Sequence, residues 1–337
     1  MTFRCLLAAA LLIAGRVAAA PVPAELGVLE LADGDTYLAR VTLAHGSAEA
    51  VQTENEEAAW WWDFSAAGNI FYAEGIRLRR DSEGEHTPVL VANLDRTSRT
   101  PAALGAEGRV AFTSVNDVNL ARWDDVSKKL FDIRPVLLPP HCRGRDLAFS
   151  KNGRALYVLC RTPAPVSTWF VTADTTTGRG EHFFARDADR LLGVLKDGGP
   201  MVLVTRAGTT ESAISLGTNG KVSVLFKAKE GETLVGLLGV RGELVIAGAP
   251  ATKGKLRSLR AAKLGTRSSR MLVKPLAFSD VTVSRSTGVL ALTLPSPGED
   301  EAGDIALLKP GEPAVRRVLR AEPSKQHLYS RPLQREP

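Results

Sequence analysis

Two stretches with the same pattern, FSAAGNIFYA at residues 64–73 and FSKNGRALYVL at residues 149–159, decide the fold of this chain. Each begins with an aromatic residue and a serine, continues through two small or polar residues to a glycine, and ends in an apolar segment. Glycine adopts the positive φ angles that tight turns require. Short apolar segments bounded by turn residues are typical of β-strands. Each stretch therefore predicts a β-hairpin.

The pattern recurs in weaker copies along the chain. Its anchoring glycines lie 40 to 46 residues apart, at Gly68, Gly108, Gly153, Gly199, Gly242 and Gly288. A second pair of strand-like segments follows each hairpin, as at 168–172 and 180–185. Four short antiparallel strands repeating at this spacing are typical of a β-propeller blade, which buries its faces by stacking on neighbouring blades. The sequence predicts an all-β fold, a β-propeller of four-stranded antiparallel blades.

The number of blades follows from the length of the chain. Residues 25–337 are enough for about seven repeats of this size. Six units lie between residues 60 and 320, and strand-like segments at 27–31, 36–43 and 48–53 supply three further strands. A C-terminal strand within 327–333 would complete the seventh blade and hide both sheet edges. Seven blades are the favoured prediction, and six blades with an extra N-terminal hairpin are the alternative.

The serine and glycine of this turn resemble the repeat of the TolB-like and WD40-like bacterial β-propellers, whose consensus is Trp-Ser-Pro-Asp-Gly. Ser65 and Gly68 match the consensus, as do Ser150 and Gly153, but no copy keeps the full motif. The resemblance spans most of the chain after its first 24 residues. Because the matching residues form turns, it implies the architecture and leaves the function open.

The first residues are typical of a secretory signal peptide. Arg4 precedes an apolar run at 5–15, and small residues follow at 17–20. We expect a signal peptide at 1–20, cut as late as 24, a single propeller domain at 25–333 and a tail at 334–337. No later run reaches the roughly 20 apolar residues of a membrane-spanning helix. We therefore expect an exported protein, periplasmic or secreted, that is soluble after the signal peptide is removed.

Two cysteines, Cys142 and Cys160, remain after that cleavage. The turn signal at 151–154 places them nearly opposite each other, at the open end of one antiparallel strand pair. An even number of cysteines in an exported chain indicates a disulfide. Two free buried thiols are the alternative.

Charge and motifs argue against several classes of function. The formal net charge is +6, and acids and bases are interspersed along the chain, whereas a nucleic-acid groove needs a concentrated basic stripe. The five histidines are scattered, with no pair at the spacing of zinc ligands. The sequence contains no Gly-x-Ser-x-Gly elbow and no phosphate-binding glycine motif.

Candidate binding residues lie on the face that carries the linkers into each blade and the turns between second and third strands. Strand alternation places Trp60, Trp62 and Phe64 on one side of a strand. Packing between blades is the favoured role of these aromatic residues. The alternative is an aromatic platform for a flat ligand, for which Trp60, beside an acidic loop that contains Glu54, is the candidate. Carboxylate and amide groups of the kind that hold a divalent cation are supplied on other loops by Asn116, Asp117, Asn119 and Glu211.

These observations favour a non-enzymatic, exported scaffold that binds a partner protein, envelope component or glycan through its loop-rich face. The alternative is a metal-dependent propeller hydrolase, lactonase or lyase with a site at the mouth of the central channel. The first function needs no cofactor, and the second needs a divalent cation. Neither the identity of the partner nor the oligomeric state follows from the sequence.

Overall fold

The computed structural model describes residues 25–32, 35–43, 47–51, 59–65, 67–81, 89–115, 117–150, 152–194, 201–216, 220–238, 242–249, 256–266, 268–284, 287–296, 302–309, 311–322 and 325–332. In these ranges the regular structure is β-strand apart from one 3₁₀ turn at Ala106–Gly108. No helix in this part of the chain is long and apolar enough to cross a membrane.

The described strands pair into six hydrogen-bonded sheets, of which five have four strands and one has eight. The eight-stranded sheet consists of two four-stranded units that are joined by one residue pair, Gly303 and His327. The described strands therefore form seven four-stranded antiparallel blades, the number that the repeat spacing favours.

Blade 1 combines the two ends of the described chain. Its strands, in order from the channel outward, are β28 (Lys325–Pro332), β1 (Glu25–Ala32), β2 (Asp35–Thr42) and β3 (Ser47–Val51). The predicted C-terminal closing strand is thus confirmed, and it begins two residues earlier than expected. The pairing of β28 with β1 closes the ring and covers the inner edge of β1, so that β28 is the innermost strand of the blade.

Blades 2 to 4 are each built from four consecutive strands. Blade 2 contains β4 (Ala59–Phe64), β5 (Ile70–Glu74), β6 (Arg77–Asp81) and β7 (Val89–Asn93). Blade 3 contains β8 (Ala102–Leu104), β9 (Arg109–Thr113), β10 (Val118–Asp124) and β11 (Lys129–Pro135). Blade 4 contains β12 (Arg143–Phe149), β13 (Ala155–Thr162), β14 (Ser167–Asp174) and β15 (Gly180–Phe184).

Blades 5 to 7 repeat the same order. Blade 5 contains β16 (Ala188–Val194), β17 (Met201–Ala207), β18 (Thr210–Leu216) and β19 (Val222–Lys227). Blade 6 contains β20 (Thr233–Leu238), β21 (Glu243–Ala247), β22 (Arg257–Lys263) and β23 (Ser269–Leu276). Blade 7 contains β24 (Asp280–Val283), β25 (Leu290–Pro295), β26 (Gly303–Leu308) and β27 (Arg316–Leu319). The first strands of successive blades contact one another and surround the central channel.

The buried apolar side chains of the described residues form seven clusters, one between each pair of neighbouring blades. Strand β17 shows why the inner strands are apolar at consecutive positions. Its Met201 and Leu203 pack toward blade 4, whereas Val202 and Val204 pack toward blade 6. Both faces of such a strand are buried, so the sequence reads as a continuous apolar run.

The turn glycines have the expected backbone conformation. Five of the six anchoring glycines have φ between 60° and 84°, and Gly199 lies outside the described residues. Gly153, with φ of 65°, also lies against the guanidinium of Arg109, which donates a hydrogen bond of 2.8 Å to the Gly153 carbonyl. This turn therefore joins blade 4 to blade 3.

The tryptophan stretch differs from strict alternation at one residue. A bulge between Ala59 and Trp61 shifts the register of β4. Ala59 therefore packs with Trp62 toward blade 1, whereas Trp60 and Trp61 both contact the cluster between blades 2 and 3. The prediction that Trp60 shares a side with Trp62 is wrong, because a bulge inserts an extra residue into the alternation.

The cysteine pair forms the expected disulfide. Cys142 and Cys160 are bonded, with their Cα atoms 5.6 Å apart, and both are buried between blades 3 and 4. Gly144 pairs with Cys160 at the open end of the β12–β13 hairpin.

Candidate functional site

The face with the linkers into each blade also carries the turns between second and third strands, because antiparallel strands alternate in direction. We call it the loop face. The first strand of every blade begins here, so residues at the starts of these strands surround the mouth of the channel.

Trp60 lies on the loop face at the start of β4 and is half-buried. Its indole N–H donates a hydrogen bond of 3.0 Å to the carbonyl of Gly75, in the turn after β5 of the same blade. The ring packs against the cluster between blades 2 and 3. These contacts fit the favoured role in packing between blades.

Two of the polar candidates lie together, Asp117 in the turn between β9 and β10 and Asn119 at the start of β10. The Asp117 carbonyl accepts a hydrogen bond of 2.8 Å from the Ser114 N–H. The Asn119 side chain donates to the Ser114 hydroxyl at 3.2 Å. Asp117 is exposed and Asn119 is half-buried. The other two candidates, Glu54 and Asn116, lie outside the described residues.

Glu211 lies elsewhere, at the start of β18, and its carboxylate is buried beside blade 6. Arg190 donates to both of its oxygens, at 2.9 and 2.8 Å. The Arg206 guanidinium donates at 2.7 Å, and the Leu234 N–H donates at 2.8 Å. Arg190 also donates at 2.6 Å to the Leu234 carbonyl. Glu211 therefore joins three strands of blade 5 to the first strand of blade 6.

A second carboxylate extends this cluster to the solvent. One oxygen of Asp189 lies 3.1 Å from Arg99, 3.3 Å from Arg190 and 4.0 Å from Arg206. Arg99 belongs to the linker between blades 2 and 3, and its backbone N–H donates at 2.7 Å to the Arg145 carbonyl of blade 4. The cluster therefore spans the channel mouth from this linker to blade 6. We call it the mouth network, and it comprises Arg99, Asp189, Arg190, Arg206 and Glu211.

The two carboxylates of the mouth network differ in exposure. The side chain of Glu211 is 4% exposed, whereas that of Asp189 is 30% exposed. The guanidinium-bearing side chains of Arg99 and Arg206 are 47% and 49% exposed. The network contains three guanidinium groups and two carboxylates, so its net charge is +1. Its exposed guanidinium groups, those of Arg99 and Arg206, face the solvent. Partly exposed arginines of this kind bind carboxylates in planar, bidentate geometry.

The pKa of Glu211 reflects these contacts. Burial raises it, but hydrogen bonds from Arg190, the Leu234 N–H and Arg206 outweigh burial and hold it at about 2. The hydrogen bond to Glu211 in turn raises the pKa of Arg206. Glu211 and Arg206 are therefore both ionised across the physiological pH range.

Of the mouth network, only Glu211 is among the residues predicted from the sequence. One local signal was present, because Arg206 and Glu211 flank the short turn after β17 and are directly paired in the strand register. Nothing in the local sequence connects them to Arg99, which lies more than a hundred positions earlier. Trp60, Asp117 and Asn119 are not in contact with the mouth network through any described hydrogen bond or ion pair.

A groove of about 740 Å³ lies on the outside of the ring, between blades 4 and 5. Apolar side chains on its walls include Phe183, Ile214, Val222 and Val224. None of the residues predicted from the sequence lines it, but Arg206 of the mouth network does, so the network reaches this groove.

The described residues contain no group of three or more histidine, cysteine, aspartate or glutamate side chains arranged to hold a metal ion. The loop at 297–301, with its acidic residues, lies outside the described part of the chain.

Comparisons with known proteins give the fold. No family model matches this sequence, and no curated protein matches it. A solved structure of an oligogalacturonate lyase in complex with manganese has a TM-score of 0.60 at 10% identity, covering 90% of this chain and 87% of that one. The Dos1 propeller has a TM-score of 0.55 at 10% identity, covering 87% and 85%. TolB from Acinetobacter baumannii has a TM-score of 0.46 at 11% identity, covering 86% and 78%. At these identities the likeness concerns the fold alone, and the oligogalacturonate lyase and Dos1 structures support a β-propeller fold for this chain.

Proposed function

We propose that this chain is an exported β-propeller scaffold that binds a partner protein or envelope glycan through its loop face. The observation that carries the proposal is the mouth network, in which Arg99 and Arg206 present half-exposed guanidinium groups at the channel mouth. Arginine is enriched in protein interfaces and is suited to binding anionic groups. A disulfide in the blade 3–4 interface fits an oxidising compartment such as the periplasm or the exterior.

The rigid setting of these arginines supports binding rather than turnover. Arg190 and Glu211 are tied to the backbone of blade 6, and the linker that carries Arg99 is tied to blade 4. Preorganised side chains lose little conformational entropy when a partner docks.

The test is retention of envelope components on the immobilised chain, residues 25–337. Peptidoglycan and an acidic polyuronate are the glycan probes, neutral dextran is the glycan control, and solubilised envelope proteins are assayed alongside. We expect the double variant Arg99→Gln/Arg206→Gln to lose retention of the bound component. The double variant Arg179→Gln/Arg316→Gln removes the same charge from exposed positions at the starts of the fourth strands of blades 4 and 7, away from the loop face, and serves as the control. Equal loss in both variants would show that net charge, not the mouth network, drives binding.

The alternative function is a metal-dependent hydrolase, lactonase or lyase with its site at the channel mouth. The fold that this chain shares with a manganese-bound oligogalacturonate lyase is compatible with it. Of the candidate ligands, Asp117 and Asn119 lie on the loop face of blade 3, and Glu54 and Asn116 are outside the described residues. A metal that binds only the native state raises the melting temperature by mass action. A chelator-reversible rise with Ca²⁺, Mg²⁺, Mn²⁺ or Zn²⁺ would favour the enzyme, and no shift with any of them would favour the scaffold.

A further inference from the structure

The mouth network contains two carboxylates that are held in very different ways. Glu211 accepts four short hydrogen bonds, between 2.7 and 2.9 Å, and is buried. Asp189 has guanidinium groups around it at 3.1, 3.3 and 4.0 Å, all measured to the same oxygen, and is partly exposed. Glu211 is thus a structural anion, and Asp189 is a loosely held one.

The position of Asp189 is the position that a ligand carboxylate would take. Its Oδ2 lies between Arg99, on the blade 2–3 linker, and Arg206, at the end of β17. Both arginine side chains are about half exposed, so an anion arriving from the solvent reaches them without moving Glu211 or Arg190. Such an anion competes with Asp189 for the same two guanidinium groups.

We infer that the mouth network is a carboxylate-recognition site, that its ligand is an acidic segment of a partner protein, and that Asp189 is an internal competitor for that ligand. This inference rests on the proposed function and names the chemistry of its binding site. A protein segment is favoured over a glycan because Arg206 also lines the groove between blades 4 and 5, where Ile214, Val222 and Val224 offer aliphatic surface to the apolar side chains of a peptide. A carboxylate is favoured over a phosphate because the single net positive charge matches a singly charged group.

The competition makes an unusual prediction, namely that removing a polar contact strengthens binding. Asp189→Asn removes the competing charge and leaves Arg99 and Arg206 in place. We expect it to bind a short, fluorescently labelled oligoglutamate about fivefold more tightly than the wild-type chain, the size of effect typical of a partly exposed ion pair. Arg99→Gln removes one of the two binding groups and should weaken binding by about the same factor.

Two control variants, on the linker between β15 and β16, change the net charge by the same amounts. Asp187 and Arg186 are 70% and 83% exposed, pair with each other at 3.7 Å and do not belong to the mouth network. Asp187→Asn changes the net charge as Asp189→Asn does, and Arg186→Gln changes it as Arg99→Gln does. We expect both control variants to bind oligoglutamate like the wild-type chain.

The measurement is fluorescence anisotropy of labelled oligoglutamate, with polygalacturonate and short-chain polyphosphate as competitors, at low and at physiological ionic strength. Tighter binding by Asp189→Asn but not by Asp187→Asn, with polyphosphate a poor competitor, is the expected result. Absence of oligoglutamate binding by every variant, or equal gains in the two aspartate variants, would overturn the inference. Preferential binding of polygalacturonate would replace the protein segment with a glycan.

Different experimental outcomes would contradict the inference and the proposed function. If Arg99→Gln/Arg206→Gln loses its envelope component while Asp189→Asn gains nothing, the loop face binds a partner without competition from Asp189. If neither variant alters any binding, the proposed function fails as well.

Discussion

Glu211 illustrates how a charged side chain is kept inside a propeller of apolar strands. Removing a carboxylate from water is costly unless strong hydrogen bonds replace the lost hydration. Arg190 and Arg206 supply two charged donors, and the Leu234 N–H supplies a third partner from the next blade. The same contacts fix the angle at which blades 5 and 6 meet at the loop face.

Replacing Glu211 with Gln tests this role. The amide keeps the shape of the side chain but removes the charge that Arg190 needs in its buried position. We expect the free energy of unfolding to fall by about 3 kcal/mol, the usual consequence of breaking a buried ion pair on one side. Arg206→Gln removes the half-exposed partner of Glu211 and should lower the free energy of unfolding by less than about 1 kcal/mol. Urea denaturation of the three proteins checks the difference, and equal losses would contradict the assigned role of Glu211.

The pH dependence of stability also tests whether the buried carboxylate of Glu211 is ionised. The pKa of Glu211 is about 2 in the folded chain against an ordinary value of 4.5, so the unfolded chain takes up the proton first as the pH falls. The stabilisation by Glu211 is therefore complete above about pH 4.5 and is lost between pH 4.5 and about 2. We expect the stability difference between wild type and Glu211→Gln to shrink across this window. A constant difference would mean that Glu211 has the same pKa in the folded and in the unfolded chain.

At the scale of elements, the β12–β13 hairpin is held both by its turn and by its open end. Gly153 adopts the positive φ angle at the turn, and the disulfide joins Cys142 to Cys160 eighteen residues later in the sequence. A cross-link of this kind stabilises mainly by restricting the unfolded chain.

Cys142→Ser should lower the free energy of unfolding by about 3 kcal/mol, as expected for a loop of this length. A reductant should destabilise the wild-type chain by a similar amount and leave the variant unchanged. Thermal melts with and without dithiothreitol provide the measurement. If the loss caused by the substitution were just as large in the presence of reductant, packing of the buried thiol rather than the disulfide would explain it.

At the scale of the whole molecule, the ring depends on one strand from each end. Strand β28 pairs with β1, and blade 7 donates two side-chain hydrogen bonds to its backbone, from Thr282 to the Ser330 carbonyl and from Thr293 to the Leu328 carbonyl. The buried ring of His327 also contacts the Gly303 carbonyl at 2.8 Å. Burial lowers the pKa of His327, so this contact is made by the neutral ring at neutral pH.

A chain that ends at residue 322 tests the closure. Without β28, the first strand of blade 1 is missing, and the inner edge of β1 is left unpaired in a region of apolar side chains. We expect a fall in Tm of more than about 10 °C, since several kcal/mol of packing is lost, together with concentration-dependent association through the open edge. A chain that ends at residue 332 keeps β28 and is the control. Melting curves and sedimentation velocity are the measurements, and unchanged behaviour of the shorter chain would show that the ring does not need this strand.

The fold was largely predictable because its signals are local and repeated. A turn glycine and two short apolar segments specify a hairpin wherever they occur, and their spacing specifies the blade. The position of Trp60 was not predictable, because a bulge at Ala59 depends on how the strand packs between blades 1 and 3. Of the candidate site, only Glu211 was predictable. Arg99 lies on the linker between blades 2 and 3, Asp189 lies in blade 5, and neither belongs to a local motif.

The sequence alone thus predicted the all-β architecture, favoured seven repeats over six and a disulfide over two free thiols, and indicated the closing strand, because each follows from turn chemistry and spacing along the chain. Only the tertiary structure decided which charged residues meet. The ring closes 28 described strands around one channel, and closure brings Arg99, Asp189 and Glu211 to the same mouth from linkers and strands far apart in sequence. The physical reason is that a propeller places the start of every first strand at one face, whatever residues those starts carry.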